Sequence, residues 1–168
     1  RTLELMEALR DDVEAHYITL KDRPGALDER ILDAGGTIHR IPLGLRFPWR
    51  FVGCLRTIRA DVLDSHVATF SGALVLLARA ARVRRRVAHF RSDGDEHGHS
   101  ARRRAQRALM RTLIDHYSTD IVGVSPSSLS LGYRPSWPKD PRAVVIPNGI
   151  AVGDPPSRSS LRDELGVP

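Results

Sequence analysis

The chain has 168 residues, of which 41% are hydrophobic and 27% are charged, a composition that excludes a disordered segment, a collagen-like repeat and a coiled coil. A domain of this length buries enough apolar surface to fold without disulfides or structural metals, and the single cysteine, Cys54, is expected to pack in the core. Because the longest apolar runs fall far short of the ~20 residues of a membrane span, we expect a cytoplasmic protein.

The positive charge of the chain is concentrated in one segment. The formal net charge is +6, and residues 82–111 hold ten arginines but only three acidic residues, so this segment accounts for the whole excess. Such a basic patch is a candidate contact for a polyanion, either a nucleic acid or an anionic membrane surface, and a solvated helix face is the ordinary alternative. An aromatic content of 5% and the lack of a recognisable nucleic-acid module favour a function without nucleic acid.

Hydrophobic periodicity predicts helices and strands that alternate along the chain. In chain order they are a helix over 2–12, a strand over 13–20, a helix over 24–36, a strand over 37–43, a helix over 48–60, a strand over 61–67, a helix over 71–81, a strand over 86–90, a helix over 97–117, a strand over 120–125, a short helix over 127–131 and a strand over 143–147. Such alternation builds βαβ units. We therefore predict an α/β fold, a Rossmann-like parallel sheet with helices on both faces.

The helix predicted over 97–117 has two contrasting faces. Its small and apolar residues recur at helical spacing and are expected to face the core, whereas its arginines are expected to face solvent. The predicted apolar face consists of Ala101, Ala105, Ala108, Leu109 and Leu113, and the predicted basic face of Arg103, Arg104, Arg107 and Arg111.

Polar or ionisable residues follow four successive strands of the predicted sheet. In open α/β sheets, ligands bind in the crevice outside the carboxyl ends of the strands, so these residues form one candidate site. In chain order they are Ser65, His66, Ser71, His89, Arg91, Ser92, Asp93, Ser125 and Asn148. We include Phe70, Gly72 and Gly149, which adjoin them in the sequence.

Each of these candidates also has a purely structural interpretation. A histidine such as His66 or His89 can be a packed, hydrogen-bonded side chain. Ser71 and Ser125 each precede a predicted helix and are candidate N-caps, while the amides that follow Ser71 are equally suited to an anion. Asn148 and Gly149 form a common turn dipeptide.

The loop before the long helix contains a second group of potential metal ligands. His97 and His99 lie beside Asp93, Asp95 and Glu96, and imidazole and carboxylate groups are ligands of transition metals. Since no cysteine or H-E-x-x-H motif accompanies them, we expect a solvated loop and no metal site.

Three segments, "ADVLDSHVATFSGALVLLARAARVRRRVAHFRSD", "DIVGVSPSS" and "VVIPNGI", resemble in order and spacing the amino-terminal domain of the family-4 retaining glycosyltransferases. These enzymes have two Rossmann-like domains, and the resemblance is to the bacterial surface-polysaccharide type. It implies transfer of a sugar from a nucleotide sugar to an acceptor hydroxyl with retention, usually without a metal. It also implies that this domain binds the acceptor and that a carboxyl-terminal domain binds the nucleotide, so we expect no resident cofactor.

The resemblance also indicates catalytic residues. Family members commonly carry histidine pairs at the positions of Asp64 and His66 and of His89 and Arg91, and here aspartate and arginine replace one member of each pair. Arginine cannot act as a base near neutral pH, but it can stabilise a departing diphosphate. We therefore expect Arg91 to act electrostatically, with His66 and His89 as hydrogen-bonding or proton-handling groups.

The same resemblance sets the expected domain boundaries. Residues 1–150 correspond to the amino-terminal domain, and residues 151–168 to a linker and the start of the donor domain. The family's first strand, with its glycine-rich loop, would precede residue 2, and its donor-site glutamates would follow residue 168. We expect a fragment of a cytoplasmic enzyme that acts on a glycan or lipid-linked acceptor and touches the inner membrane face through its arginines.

Overall fold

The computed structural model describes residues 5, 6, 8, 9, 11–92 and 100–149. Of the helix predicted over 2–12, the described residues 5, 6 and 8 are helical. In the described residues from 16 to 145, six strands alternate with five further α-helices, as the periodicity predicts. In chain order these are β1 (His16–Thr19), α1 (Asp28–Asp33), β2 (Thr37–Arg40), α2 (Phe47–Thr57), β3 (Val62–Ser65), α3 (Ser71–Ala80), β4 (Arg85–Phe90), α4 (Ala101–Tyr117), β5 (Asp120–Gly123), α5 (Pro126–Gly132) and β6 (Ala143–Val145). Two short 3₁₀ helices that were not predicted, Ala68–Phe70 and Trp137–Lys139, precede α3 and β6.

All strand pairs are parallel, which confirms the α/β class. The strands form two sheets, one with β1 beside β2 and one with the order β3-β4-β5-β6. Among the described strands, β1 therefore has only β2 as a neighbour and β3 has only β4. The expected additional strand before residue 2 stays a prediction, as does the linker over 151–168, which lies outside the described residues.

Two hydrophobic clusters hold the helices against the strands. The first contains the buried face of α2, formed by Phe47, Phe51 and Leu55, together with side chains of α3. Cys54 lies half-buried beside this cluster, as predicted, and burial raises the pKa of its thiol. The second cluster joins β4 and β5 to α4 and α5 and includes Phe90.

The predicted helix boundaries agree with the observed caps in two places. Gly35 follows α1 with a φ of 83°, the left-handed conformation that glycine adopts most easily. Ser125 caps α5 in a capping box with Ser128. The hydroxyl oxygen of Ser125 accepts from the backbone N–H of Ser128, and the hydroxyl oxygen of Ser128 accepts from the backbone N–H of Ser125.

The buried face of α4 differs from the prediction. Ala101, Ala105 and Ala108 are exposed, and Leu109 is 56% exposed. The only fully buried residue of the helix is Ile114, because α4 packs against α3 through its second half while its first two turns lie in solvent. Periodicity alone placed the wrong side of the helix inward, since alanines cover too little apolar surface to decide its rotation.

Several arginines of the basic patch already bond to groups within the fold. Arg86 donates to the carbonyl oxygens of Val83 and Tyr117 at 2.6 and 2.7 Å. Arg111 donates to the carbonyl oxygens of Leu131 and Gly132 at the end of α5. Arg86 and Arg111 thus satisfy backbone carbonyls at the ends of α4 and α5, and Arg85 pairs with Asp120. These contacts reduce the cationic surface that the patch can offer to a partner.

A polar network ties α4, α5 and β6 together. The hydroxyl of Tyr133 lies 2.6 Å from the Asp115 carboxylate and 2.9 Å from the Asp140 carboxylate. Arg134 and Arg142 each contact both carboxylates within 3.1 Å. The Asp140 side chain is only 3% exposed, and its hydrogen bonds with Arg142 hold the pKa of this carboxyl well below its usual value despite burial.

No helix in the described ranges is long and apolar enough to cross a membrane.

Candidate functional site

The ends of β3 and β4 bring one carboxylate and two imidazoles together. Asp64 pairs with Val87 across the two strands, and side chains two residues apart along a strand share a face of the sheet. Asp64 and His66 are therefore on the same face as His89. Oδ2 of Asp64 lies 3.1 Å from Nε2 of His66 and 3.6 Å from Nδ1 of His89, and the two imidazole ring centres are 4.6 Å apart.

The electrostatics of this cluster favour a charged carboxylate. Partial burial opposes ionisation of Asp64, but the adjacent imidazoles of His66 and His89 outweigh that cost and hold the pKa of Asp64 well below its usual value. The imidazoles are only 26% and 20% exposed. In the described part of the chain, the buried Nδ1 of His66 has no hydrogen-bond partner.

The cluster can hold either a proton or a cation. A carboxylate beside two imidazoles orients the rings and supports a positive charge on them, which is the usual arrangement around a histidine that transfers protons. One ligand atom from each of Asp64, His66 and His89 lies within 4.8 Å of the others, a spacing that also fits a divalent cation. The expectation that the protein uses no metal stays a prediction.

On the opposite face of β3, two predicted site residues bond to each other in the interior. Ser65 and Ser71 are 3% and 0% exposed, and their hydroxyl oxygens are 2.9 Å apart. The Ser71 hydroxyl also donates to the Ser65 carbonyl oxygen. Ser71 is therefore not the N-cap that was predicted: the N-cap of α3 is Phe70, and it makes no side-chain capping bond.

Gly72 and Phe70 also occupy packing positions. A Cβ atom on Gly72 would lie 2.2 Å from the carbonyl oxygen of Met110, so the glycine permits close contact between α3 and α4. The Phe70 ring packs against Phe47, with ring centres 6.5 Å apart. The structure gives these two residues and the Ser65–Ser71 pair interior roles, and their contact with an acceptor stays a prediction.

The remaining predicted residues follow the ends of neighbouring parallel strands. Arg91 and Ser92 follow β4, Ser125 follows β5, and Asn148 and Gly149 follow β6. All but the half-buried Ser125 are exposed. Because β3 to β6 are adjacent and parallel, these residues lie at the same edge of the sheet as His66. Asp93 and the loop with His97 and His99 lie outside the described residues.

Asp64 is the residue that was missing from the predicted site. It was treated as the replacement of a family histidine, not as a functional group. The pattern Asp-x-His at the end of a strand carried the necessary signal, since alternate residues of a strand point to one face. The contact with His89 depends on the pairing of β3 with β4, which one sequence does not specify.

Comparisons with known proteins identify the family of the chain. A family model described as a glycosyl transferase 4-like domain matches residues 1–149. The capsular polysaccharide biosynthesis glycosyltransferase CapH of Staphylococcus aureus is 32% identical over 127 residues, which are 74% of this chain and 36% of CapH. The putative glycosyltransferase EpsF of Bacillus subtilis (strain 168) is 26% identical over 147 residues, which are 84% of this chain and 38% of EpsF.

The fold has a solved counterpart. The crystal structure of Anabaena Alr3699/HepE in complex with UDP superposes with a TM-score of 0.67 at 16% identity, covering 98% of this chain and 45% of that one. The chain thus spans less than half the length of these proteins. The extent of the family match, together with the parallel α/β fold, shows that the chain belongs to the glycosyl transferase 4-like domain family.

Proposed function

We propose that this chain is the acceptor-binding half of a retaining glycosyltransferase in polysaccharide or glycoconjugate biosynthesis. The enzyme would move a sugar from a nucleotide sugar to an acceptor hydroxyl. The observation that carries the proposal is the cluster of Asp64, His66 and His89 at the carboxyl edge of the sheet. The names of CapH and EpsF support the reaction class, and the part of those proteins beyond the match leaves room for a donor half.

In this proposal the histidines act on the acceptor hydroxyl. An imidazole of His66 or His89 hydrogen-bonds to the hydroxyl and accepts its proton as the new glycosidic bond forms. Asp64, which stays ionised, orients the rings and stabilises the positive charge that appears on them.

Arg91 has an electrostatic role in the same proposal. Departure of a nucleoside diphosphate places negative charge on phosphate oxygens, and a fixed cation in a water-poor cleft stabilises that charge better than water does. Arg91 lies two residues beyond His89 at the edge of the sheet. The nucleotide sugar is a co-substrate held mainly by the second half, and closure of the two halves positions donor against acceptor.

Removing a histidine tests the proposal in the complete two-domain enzyme. We expect His89→Ala to lower kcat by at least about 100-fold, the usual contribution of a positioned acid or base. The matched control is His116→Ala, because His116 lies exposed on α4 and should leave kcat unchanged. Radiolabelled sugar transfer from a panel of nucleotide sugars measures both variants. Equal rates for the two variants would contradict the proposed role of the cluster.

The isolated 168-residue chain is expected to transfer no sugar, because it would contain only the acceptor side of the cleft. The same radiolabel assay measures this, with the two-domain enzyme as the positive control. Turnover by the chain alone above the background of heat-denatured protein would refute the division into halves.

The complete enzyme is expected to work without a divalent cation. Because the Asp64 carboxylate is already paired with the His66 imidazole at 3.1 Å, excess EDTA should change the transfer rate by less than about twofold. Loss of activity in EDTA that added Zn²⁺ or Mg²⁺ restores would show instead that Asp64, His66 and His89 hold a metal.

The alternative function is a non-catalytic module that binds a polyanion or nucleic acid through residues 82–111. The exposed arginines 102–104 on α4 are the observation in its favour. The bonds of Arg86 and Arg111 to backbone carbonyls reduce the cationic surface that such a module would use. Binding of an oligonucleotide with a steep dependence on salt would favour this alternative.

A further inference from the structure

The three polar side chains at the ends of β3 and β4 have the spacing of a zinc site. Zn²⁺ binds imidazole nitrogen and carboxylate oxygen at about 2.0–2.2 Å, so the ligand atoms of a tetrahedral site are about 3.3 Å apart. Oδ2 of Asp64 is 3.1 Å from Nε2 of His66 and 3.6 Å from Nδ1 of His89, and all three atoms lie within 4.8 Å of one another. Small rotations of the side chains therefore let all three bind one ion.

A second pair of histidines, on β1 and β2, does not converge in this way. Nδ1 of His16 lies 3.1 Å from Nε2 of His39. The carboxylate of Glu14 lies 3.0 Å from the other ring nitrogen of His16, so Glu14 and His39 contact different edges of that ring. This pair offers two ligands to one ion, whereas a zinc site has at least three protein ligands. It is therefore a matched control for the cluster of Asp64, His66 and His89.

The fold holds this cluster in a form that is ready for a cation. The paired strands β3 and β4 fix the positions of the three side chains, and sites on regular elements are more precise than sites on loops. The neighbouring imidazoles hold the pKa of Asp64 below its usual value, so its carboxylate is charged before a metal arrives. The Asp64 side chain is 45% exposed, which gives an ion from solvent access to the half-buried rings.

We propose that Zn²⁺ binds Asp64, His66 and His89 and reversibly inhibits sugar transfer. A metal on one nitrogen of a neutral imidazole leaves the ring proton on the other nitrogen, so neither nitrogen can then accept a proton. Both histidines would lose the capacity to act on an acceptor hydroxyl. The inhibition rests on the proposed function, whereas the binding of the ion rests on the geometry of the cluster alone. A reaction that needs no metal is thus one that a metal can block.

The ligand set also distinguishes between cations. Imidazole nitrogen suits Zn²⁺, whereas Mg²⁺ prefers oxygen ligands and keeps several waters. We expect saturating Zn²⁺ to lower the transfer rate of the complete two-domain enzyme by at least about 100-fold, the usual contribution of a positioned base. The same concentration of Mg²⁺ should change the rate by less than about twofold, and excess EDTA should restore the rate that Zn²⁺ lowers. A rate that Zn²⁺ leaves unchanged or increases would overturn the proposal.

Cobalt measures the binding without any sugar transfer. Co²⁺ replaces Zn²⁺ in tetrahedral sites, where its visible absorption bands are much stronger than those of the ion in water. On titration of the 168-residue chain with Co²⁺, we expect these bands to appear and then to disappear when Zn²⁺ is added. A wild-type chain that develops no such bands would overturn the proposal.

Matched variants locate the bound ion. Because even groups outside the ligand shell contribute about 10–100-fold to metal affinity, His66→Ala and His89→Ala should each weaken Co²⁺ binding by at least about 100-fold. Asp64→Asn keeps the size of the side chain but loses its charge, and it should weaken binding by at least about tenfold. The controls, His16→Ala and His116→Ala, should leave the affinity within about twofold, as expected of distant sites. Bands that disappear only in His16→Ala would place the metal elsewhere and overturn the proposal.

The histidines of the loop before α4 require a control of their own. His97 and His99 lie outside the described residues and adjoin acidic residues in the sequence. The double variant His97→Ala with His99→Ala should bind Co²⁺ as the wild type does, and loss of the bands in this variant alone would assign the ion to the loop and overturn the proposal. Circular dichroism checks that each variant is folded. Asp64→Asn, which adds and removes no volume, provides the answer if an alanine variant unfolds.

The two measurements keep this inference separate from the proposed function. Cobalt bands in a protein whose two-domain form transfers no sugar would support the metal site and contradict the transferase. Transfer that depends on His89, without cobalt bands and without inhibition by Zn²⁺, would support the transferase and overturn this inference. Cobalt bands that require His66 and His89, together with inhibition by Zn²⁺ that EDTA reverses, are the result we expect.

Discussion

Replacing Asp140 by alanine is expected to lower the free energy of unfolding by about 3 kcal/mol, because removing one member of a buried ion pair leaves its partners uncompensated. Asp140 accepts from Tyr133, Arg134 and Arg142 and is 3% exposed. Tyr133, a residue that is 1% exposed, would lose one of the two carboxylates next to its hydroxyl and keep Asp115. Urea unfolding followed by circular dichroism measures the change.

The control for this prediction is an ion pair at the surface. Arg85 lies 3.4 Å from Asp120, with side chains 66% and 37% exposed. Exposed pairs contribute little, so Arg85→Gln should change the free energy of unfolding by less than about 0.5 kcal/mol. A loss for Asp140→Ala no larger than for Arg85→Gln would show that the polar network of Asp115, Tyr133 and Asp140 does not stabilise the fold.

Acid provides a second readout on Asp140. Its pKa is below the usual value when folded, so the stability it contributes is fully present above the pKa of the unfolded carboxyl and is lost as the pH falls toward the folded pKa. The difference in unfolding free energy between wild type and Asp140→Ala should therefore be constant from pH 5 to pH 7, roughly one to three units above an ordinary carboxyl pKa, and should shrink below about pH 4.

Replacing Gly72 by alanine is expected to lower the free energy of unfolding by about 2 kcal/mol, the middle of the range for overpacking. The new Cβ would be 2.2 Å from the carbonyl oxygen of Met110 and 3.0 Å from its carbonyl carbon. These atoms belong to the backbone of α4, which cannot move aside as a side chain would. The two helices would have to separate, and the packing between them would loosen.

Gly53 supplies the matched control for Gly72. It lies exposed within α2, and a Cβ there would meet nothing within 4 Å. Gly53→Ala should raise the free energy of unfolding by roughly 0.5–1 kcal/mol, since alanine restricts the unfolded chain and favours helix. Thermal unfolding of both variants tests the pair. Stabilisation by both substitutions would mean that α3 and α4 are not in close contact at Gly72.

The regular elements and the location of the site could be predicted from the sequence because they depend on local patterns. Apolar spacing defines α2 and α3, and polar residues after apolar strands identify His66 and His89. The edge at which these histidines lie follows from the parallel arrangement alone. None of these inferences requires knowledge of which distant residues touch.

The features that could not be predicted depend on contacts between distant parts of the chain. Tyr133 meets Asp115 from α4 and Asp140 from the segment before β6, and nothing in their spacing indicates this. The rotation of α4 is decided by its contact with Gly72, against the weak preference of its alanines. Asp64 becomes part of the site only when β4 places His89 beside it.

The buried hydroxyl pair of Ser65 and Ser71 has a consequence for the variation that the site can tolerate. It fastens the two ends of the connection 66–70 to each other, and His66 is the first residue of that connection. The imidazole is therefore attached to the rigid interior, and its position does not depend on how many residues follow it in the connection. Insertions between Val67 and Phe70 should lengthen this half-buried connection while the ring stays beside Asp64, so the site is compatible with variation in its length.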